Sequence, residues 1–139
     1  MKKLIIFVFL LLLSVSSYSD DTLILKNAWV REAPPMVKNL AGYAEFKNIG
    51  NEVIFIVSAF SPLFKKVSIH ETSMHDGMMH MAHLMQLRLP PGESVNFEPG
   101  GKHLMLFKPE RRIKAGLKVP IEFKLKSGKT VSFEFDVRK

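Results

Sequence analysis

From residue 23 onward, apolar residues recur in short runs at period two, and Gly, Pro and Asn cut the runs apart. Leu23-Ile24-Leu25 leads into Ala28-Trp29-Val30, and Pro34-Pro35 stops it. Tyr43 to Phe46 reads as a strand that ends in the turn Asn48-Ile49-Gly50-Asn51. Residues 53–60 are apolar and β-branched up to Pro62, and residues 66–71 alternate, with Val67 and Ile69 opposite Ser68 and His70. Leu87 and Leu89 precede Pro90-Pro91-Gly92, Val95 and Phe97 precede Pro99-Gly100-Gly101, and residues 103–107 form another strand. The clearest pair comes last: Ile121, Phe123 and Leu125, a Ser127-Gly128 turn, then Val131, Phe133, Phe135 and Val137. Turn signals spaced roughly eight to twelve residues apart, without a helical period, predict an all-β sandwich or barrel.

The N-terminus departs from this pattern. Lys2 and Lys3 precede an unbroken apolar run over residues 4–13, and Ser17 and Ser19 flank a cleavage point before Asp20. That is the build of a secretory leader over residues 1–19, expected to be removed on export to the periplasm. The run is half the roughly 20 apolar residues that a membrane span requires. No cysteine follows it, which argues against a lipid-anchored form. The expected mature chain, residues 20–139, is long enough for one domain with a substantial core.

Composition narrows the chemistry. The chain has no cysteine, which excludes thiol catalysis, a disulfide framework, a blue-copper electron-transfer site and Cys-ligated zinc. The formal charge of +7 falls to +5 once Lys2 and Lys3 leave with the leader. The remaining basic residues are spread out, with short pairs such as Lys65-Lys66 and Arg111-Arg112. This describes a solvated surface rather than a nucleic-acid interface.

The candidate chemistry is concentrated. His70, His75, His80, His83 and His103 are all five histidines of the chain, and Met74, Met78, Met79, Met81, Met85 and Met105 are six of its eight methionines. Leu, Ile and Val are plentiful, so methionine is not needed here as core filler. In an extended strand His103 and Met105 project to one face, about 6.6–6.8 Å apart along the chain. Thioether sulfur is soft and selects Cu(I), and imidazole suits copper in either oxidation state. With His70 ending a strand and a flexible segment over residues 71–80 returning the chain to Met81, four ligands from three strand ends are expected to converge. One conflict stands in this reading: Met81 shares parity with Leu87 and Leu89, so an unbroken regular strand would turn it toward the core. A bulge, or a strand starting after Met81, would remove the conflict.

The spacing of His70, ten residues, Met81, twenty-one residues, His103, one residue and Met105 resembles the signature of the periplasmic copper chaperones called PCu(A)C. Similarity extends to Ala28-Trp29-Val30-Arg31, Ala41-Gly42-Tyr43, Leu89-Pro90-Pro91-Gly92 and the stretch from Glu98-Pro99-Gly100-Gly101 to Leu106. The resemblance implies a cupredoxin-like Greek-key β-sandwich that binds Cu(I) through His70, Met81, His103 and Met105. It also implies delivery of copper for the CuA site of cytochrome c oxidase, to an oxidase subunit or to another copper assembly factor. A monomer is expected. Copper buffering or resistance in the periplasm is the alternative, because it calls for the same ligands.

Other readings fit less well. His70-Glu71 is followed by His75, five positions on, so the His-Glu-x-x-His helix signature fails, and no nucleophile elbow is present. The chain is therefore expected not to be an enzyme. His75, His80 and His83 are read as solvated loop residues, with Cu(II) binding as their alternative role.

Overall fold

The computed structural model describes residues 22–139, so the expected leader over residues 1–19 lies outside the described residues. Ten strands follow in chain order: β1 (Leu23–Arg31), β2 (Asn39–Asn48), β3 (Ile54–Phe60), β4 (Phe64–His75), β5 (Met78–His83), β6 (Leu87–Leu89), β7 (Ser94–Phe97), β8 (Lys102–Pro109), β9 (Lys118–Leu125) and β10 (Thr130–Arg138). The chain is all-β, as the alternation predicts. Among the described residues no helix is long and apolar enough to cross a membrane.

Hydrogen bonding runs continuously round a ring of strands rather than dividing into two sheets. From β4 the ring passes through β8, β2, β1, β10, β9 and β3. It closes through Ala59↔Val67, between β3 and β4. The short connection through Ser61, Pro62 and Leu63 keeps the two strands adjacent at that corner, which leaves no long open edge there. Two neighbouring pairs are parallel: β1 with β10, and β7 with β8. At the first of these, Arg31 and Arg138 are register partners, and both guanidinium groups lie over the Trp29 ring, 5.8 and 5.7 Å from its centroid.

Inward positions of every ring strand meet in one buried cluster. Phe46 sits at its centre, 4.4 Å from Phe97 and edge-on to Phe123 at 5.3 Å. Leu104, Leu106, Ile121 and Phe135 are fully enclosed, each contributing about 1.5–3 kcal/mol by leaving water. Asn48 is the buried polar exception. Its side-chain amide donates to the carbonyls of Glu52 (2.7 Å) and Leu89 (2.9 Å), and its oxygen accepts from Gly50 N–H at 2.9 Å. The expected turn is therefore pinned to β6, and each hydrogen-bonding group of the amide has a partner.

Two features differ from the sequence expectation. His70 does not end its strand: β4 continues five residues further, to His75. The expected flexible segment is a hairpin of β4 and β5, closed by Asp76 and Gly77 at φ 50° and 73°. Two central residues of positive φ form the type I′ turn, whose twist matches that of the strands it joins, and Asp-Gly is among its favoured pairs.

Candidate metal centre

The register across β5, β4 and β8 decides which side chains meet. In β4, Val67 and Ile69 face the core, so Ser68, His70 and Thr72 face outward; in β8, Leu104 and Leu106 face in, leaving His103 and Met105 outside. Ser68 pairs with Met105 and His70 with His103. On the other side of β4, His70 pairs with His83 and Thr72 with Met81. Directly paired residues lie on one side of a sheet. His70, Met81, His103 and Met105 therefore share one outward face, on three adjacent strands.

The imidazoles form a row. His70 stacks on His103 with centroids 5.8 Å apart and on His83 at 5.3 Å, both near-parallel. Met81, His103 and Met105 line a hollow of about 270 Å³ together with Thr72, Tyr43 and Gly100. His70 does not line this hollow; it stacks on His103, which does. A second, larger groove, lined by Pro35, Lys38, Arg111 and Ile113 among others, contains no histidine.

Hydrogen bonding fixes what each ring presents. His103 Nδ1 lies 3.2 Å from the Gly101 carbonyl. A carbonyl only accepts, so Nδ1 carries the proton and Nε2 keeps its lone pair. The same carbonyl accepts Thr72 N–H at 3.0 Å, which ties the His103 ring to β4. Gly100, at φ 85°, sits in the turn that brings Gly101 into place, a conformation that costs glycine nothing. His70 Nε2 lies 2.9 Å from Ser68 Oγ, while its Nδ1 is buried without any partner. A serine hydroxyl can donate or accept, so this contact suits either tautomer; in the one where Nε2–H donates to Oγ, Nδ1 keeps a lone pair for a ligand. The His70 pKa is lowered, first by partial burial and then by His103, His83 and Lys66 nearby, which favours the neutral, ligating form.

The donor set tests what this face can hold. Among the described residues no three His, Asp or Glu side chains gather as a metal site. The donors on this face are the imidazoles of His70, His83 and His103 and the thioethers of Met81 and Met105, and these are soft to borderline. Glu71 and Arg31 take no part. Glu71 is paired with Lys102 at 2.7 Å on the reverse side of the same strands, and Arg31 packs on Trp29.

The parity conflict over Met81 resolves through a break in the strand. β5 ends at His83 and β6 begins at Leu87, so Met81 is half exposed while Leu87 and Leu89 are buried. The sequence reading left His83 in a solvated loop. The structure places it in β5, stacked on His70, and its even spacing from Met81 is the signal that foretells this.

The LpqE-like lipoprotein family model matches residues 23–137. A lipoprotein of Leifsonia xyli subsp. xyli, Lxx21020, is 28% identical over 111 residues; the match covers 79% of this chain and 66% of that protein's length. The Cu(I)-bound solution structure of DR1885 from Deinococcus radiodurans is 26% identical with a TM-score of 0.61, covering 81% of this chain and 76% of that one. The copper-bound PCuAC domain of PmoF2 shares the fold at 17% identity and a TM-score of 0.70, covering 84% of this chain and 92% of that domain. A family match over residues 23–137, which reaches all ten strands, carries the conclusion: the chain belongs to the LpqE-like, PCuAC-type family.

Proposed function

We propose that the chain is a Cu(I) metallochaperone that holds one ion through His70, Met81, His103 and Met105 and delivers it for assembly of the CuA site of cytochrome c oxidase. The observation that carries the reading is the buried, unpartnered Nδ1 of His70, beside His103 and the hollow lined by Met81 and Met105. The copper bound in DR1885 and in PmoF2 supports it. Copper is here the cargo. His103 offers Nε2, fixed by the carbonyl that accepts from its Nδ1–H, His70 offers its unpartnered Nδ1, and both thioethers are neutral. A neutral four-donor set suits a monovalent d¹⁰ ion in near-tetrahedral geometry and leaves no open position for a catalytic water, so the chain is not an enzyme on this reading.

Release follows from exposure. Met81 is 54% exposed, on a two-stranded projection, whereas His103 is 8% exposed. An incoming ligand from the recipient displaces Met81 first, and the ion leaves by stepwise exchange. The proposal includes a monomer working in the periplasm after loss of residues 1–19, with the mature domain over 20–139 in the cupredoxin-like Greek-key form. Its partners are an oxidase subunit or another copper assembly factor, and no nucleic acid.

Anaerobic mixing of the Cu(I)-loaded chain with an apo CuA domain tests delivery: copper is expected to appear on the acceptor without passing through a competing chelator. A deletion strain that loses oxidase activity and regains it with added copper supports delivery in the cell. Copper sensitivity with normal oxidase would turn the reading toward buffering.

A further inference from the structure

The β4–β5 hairpin carries donors on both faces. One face holds His70, His83 and Met81; register partners on the reverse face are His75 with Met78 and Ser73 with His80. We infer that His75, Met78 and His80 form a second copper site, an exposed Cu(I) site of two imidazoles and one thioether on the reverse of the hairpin.

Three observations carry this. The His75 and His80 rings lie across the strand pair with centroids 5.9 Å apart, tilted 52° to one another. Metal–nitrogen bonds of about 2 Å place each ring centroid about 3 Å from a shared ion, so a separation of about 6 Å is spanned by one ion at a wide N–metal–N angle. Such an angle suits a d¹⁰ ion of low coordination number. Met78 is the register partner of His75, on the same side of the hairpin as both rings, and is 62% exposed. An exposed methionine on a projecting hairpin gains nothing from core packing, whereas as a soft donor beside two imidazoles it selects Cu(I). Finally, the type I′ turn at Asp76 and Gly77 fixes the register, so the three donors are held together by backbone geometry.

The site does not depend on the four-ligand set, because it shares no residue with it and occupies the other face. Exposure of its donors makes it the weaker of the two, positioned to take up copper before the ion reaches the inner set.

The test is an anaerobic Cu(I) titration of the chain against chelators of graded strength, with the histidine ring resonances followed by NMR. Two equivalents are expected, the weaker one moving the His75 and His80 resonances. The double variant His75→Ala/His80→Ala loses the weaker equivalent and keeps the tight one, with an unchanged thermal melt because both side chains are exposed. His103→Ala keeps the weaker equivalent. A single equivalent in the wild type, a second one indifferent to the double variant, or a second one lost with His103→Ala would each overturn the inference. Should His103→Ala leave the tight equivalent untouched while the double variant removes the weaker one, the four-ligand reading falls and this one stands.

Discussion

Ser68 Oγ lies 2.9 Å from His70 Nε2, on the same strand two residues away, and Ser68 is itself buried and paired in register with Met105. The hydroxyl thus touches one proposed ligand and neighbours another. Removing it frees the His70 ring to turn and to change tautomer. Ser68→Ala is expected to weaken Cu(I) binding by roughly tenfold or more, as loss of an outer partner does at metal sites. Chelator competition measures this. A circular dichroism melt should show a loss of only about 1 kcal/mol.

Met105→Leu separates ligation from packing. The two side chains are close in volume, so folding should change by about 1.5 kcal/mol or less. Cu(I) affinity should nevertheless fall strongly, because leucine has no donor atom. An affinity equal to wild type would remove Met105 from the ligand set.

Much of this architecture is legible in the sequence, and the gaps have physical causes. The alternation of Ile121, Phe123 and Leu125 against Val131 to Val137 foretells the β9–β10 hairpin, and Pro99-Gly100-Gly101 foretells the turn before His103. Period-two spacing foretells the outward pairing of His103 with Met105. The β4–β5 hairpin is missed because its two faces are both polar or thioether-bearing, so no hydrophobic alternation marks it. The Asp76-Gly77 pair is the signal that identifies it. Closure of the ring through Ala59 and Val67 is a long-range property of twist and corner geometry, which local pattern does not encode.

The same turn gives a stability prediction. At φ 73°, Gly77 has no heavy atom within 4 Å of where a Cβ would stand, so Gly77→Ala meets no clash. The cost is purely conformational, about 1–2 kcal/mol for a non-glycine residue in the left-handed region. It should appear as faster hydrogen exchange within residues 72–83, with amides of β9 and β10 little changed.

Acid should act on the site through His70. Partial burial, then His103, His83 and Lys66, hold its pKa below the ordinary histidine value of about 6.5. The unfolded chain therefore binds that proton more tightly than the folded one. Its contribution to stability is whole above about pH 6.5 and is lost as pH falls toward the lowered folded value. The drop in apo-protein melting temperature between about pH 7.5 and 5.5 should be smaller in His70→Ala than in wild type. Cu(I) affinity should fall over the same interval, since a protonated imidazole cannot ligate.

The central claim is that His70, Met81, His103 and Met105 act as one ligand set. The most direct measurement is the tight equivalent of an anaerobic Cu(I) titration, compared among wild type, His103→Ala and Met81→Leu. One tight equivalent in the wild type, lost in both variants while their far-ultraviolet spectra stay native, is the predicted result. A tight equivalent that survives either change would contradict the claim, and with it the assignment of this face as the copper-carrying site.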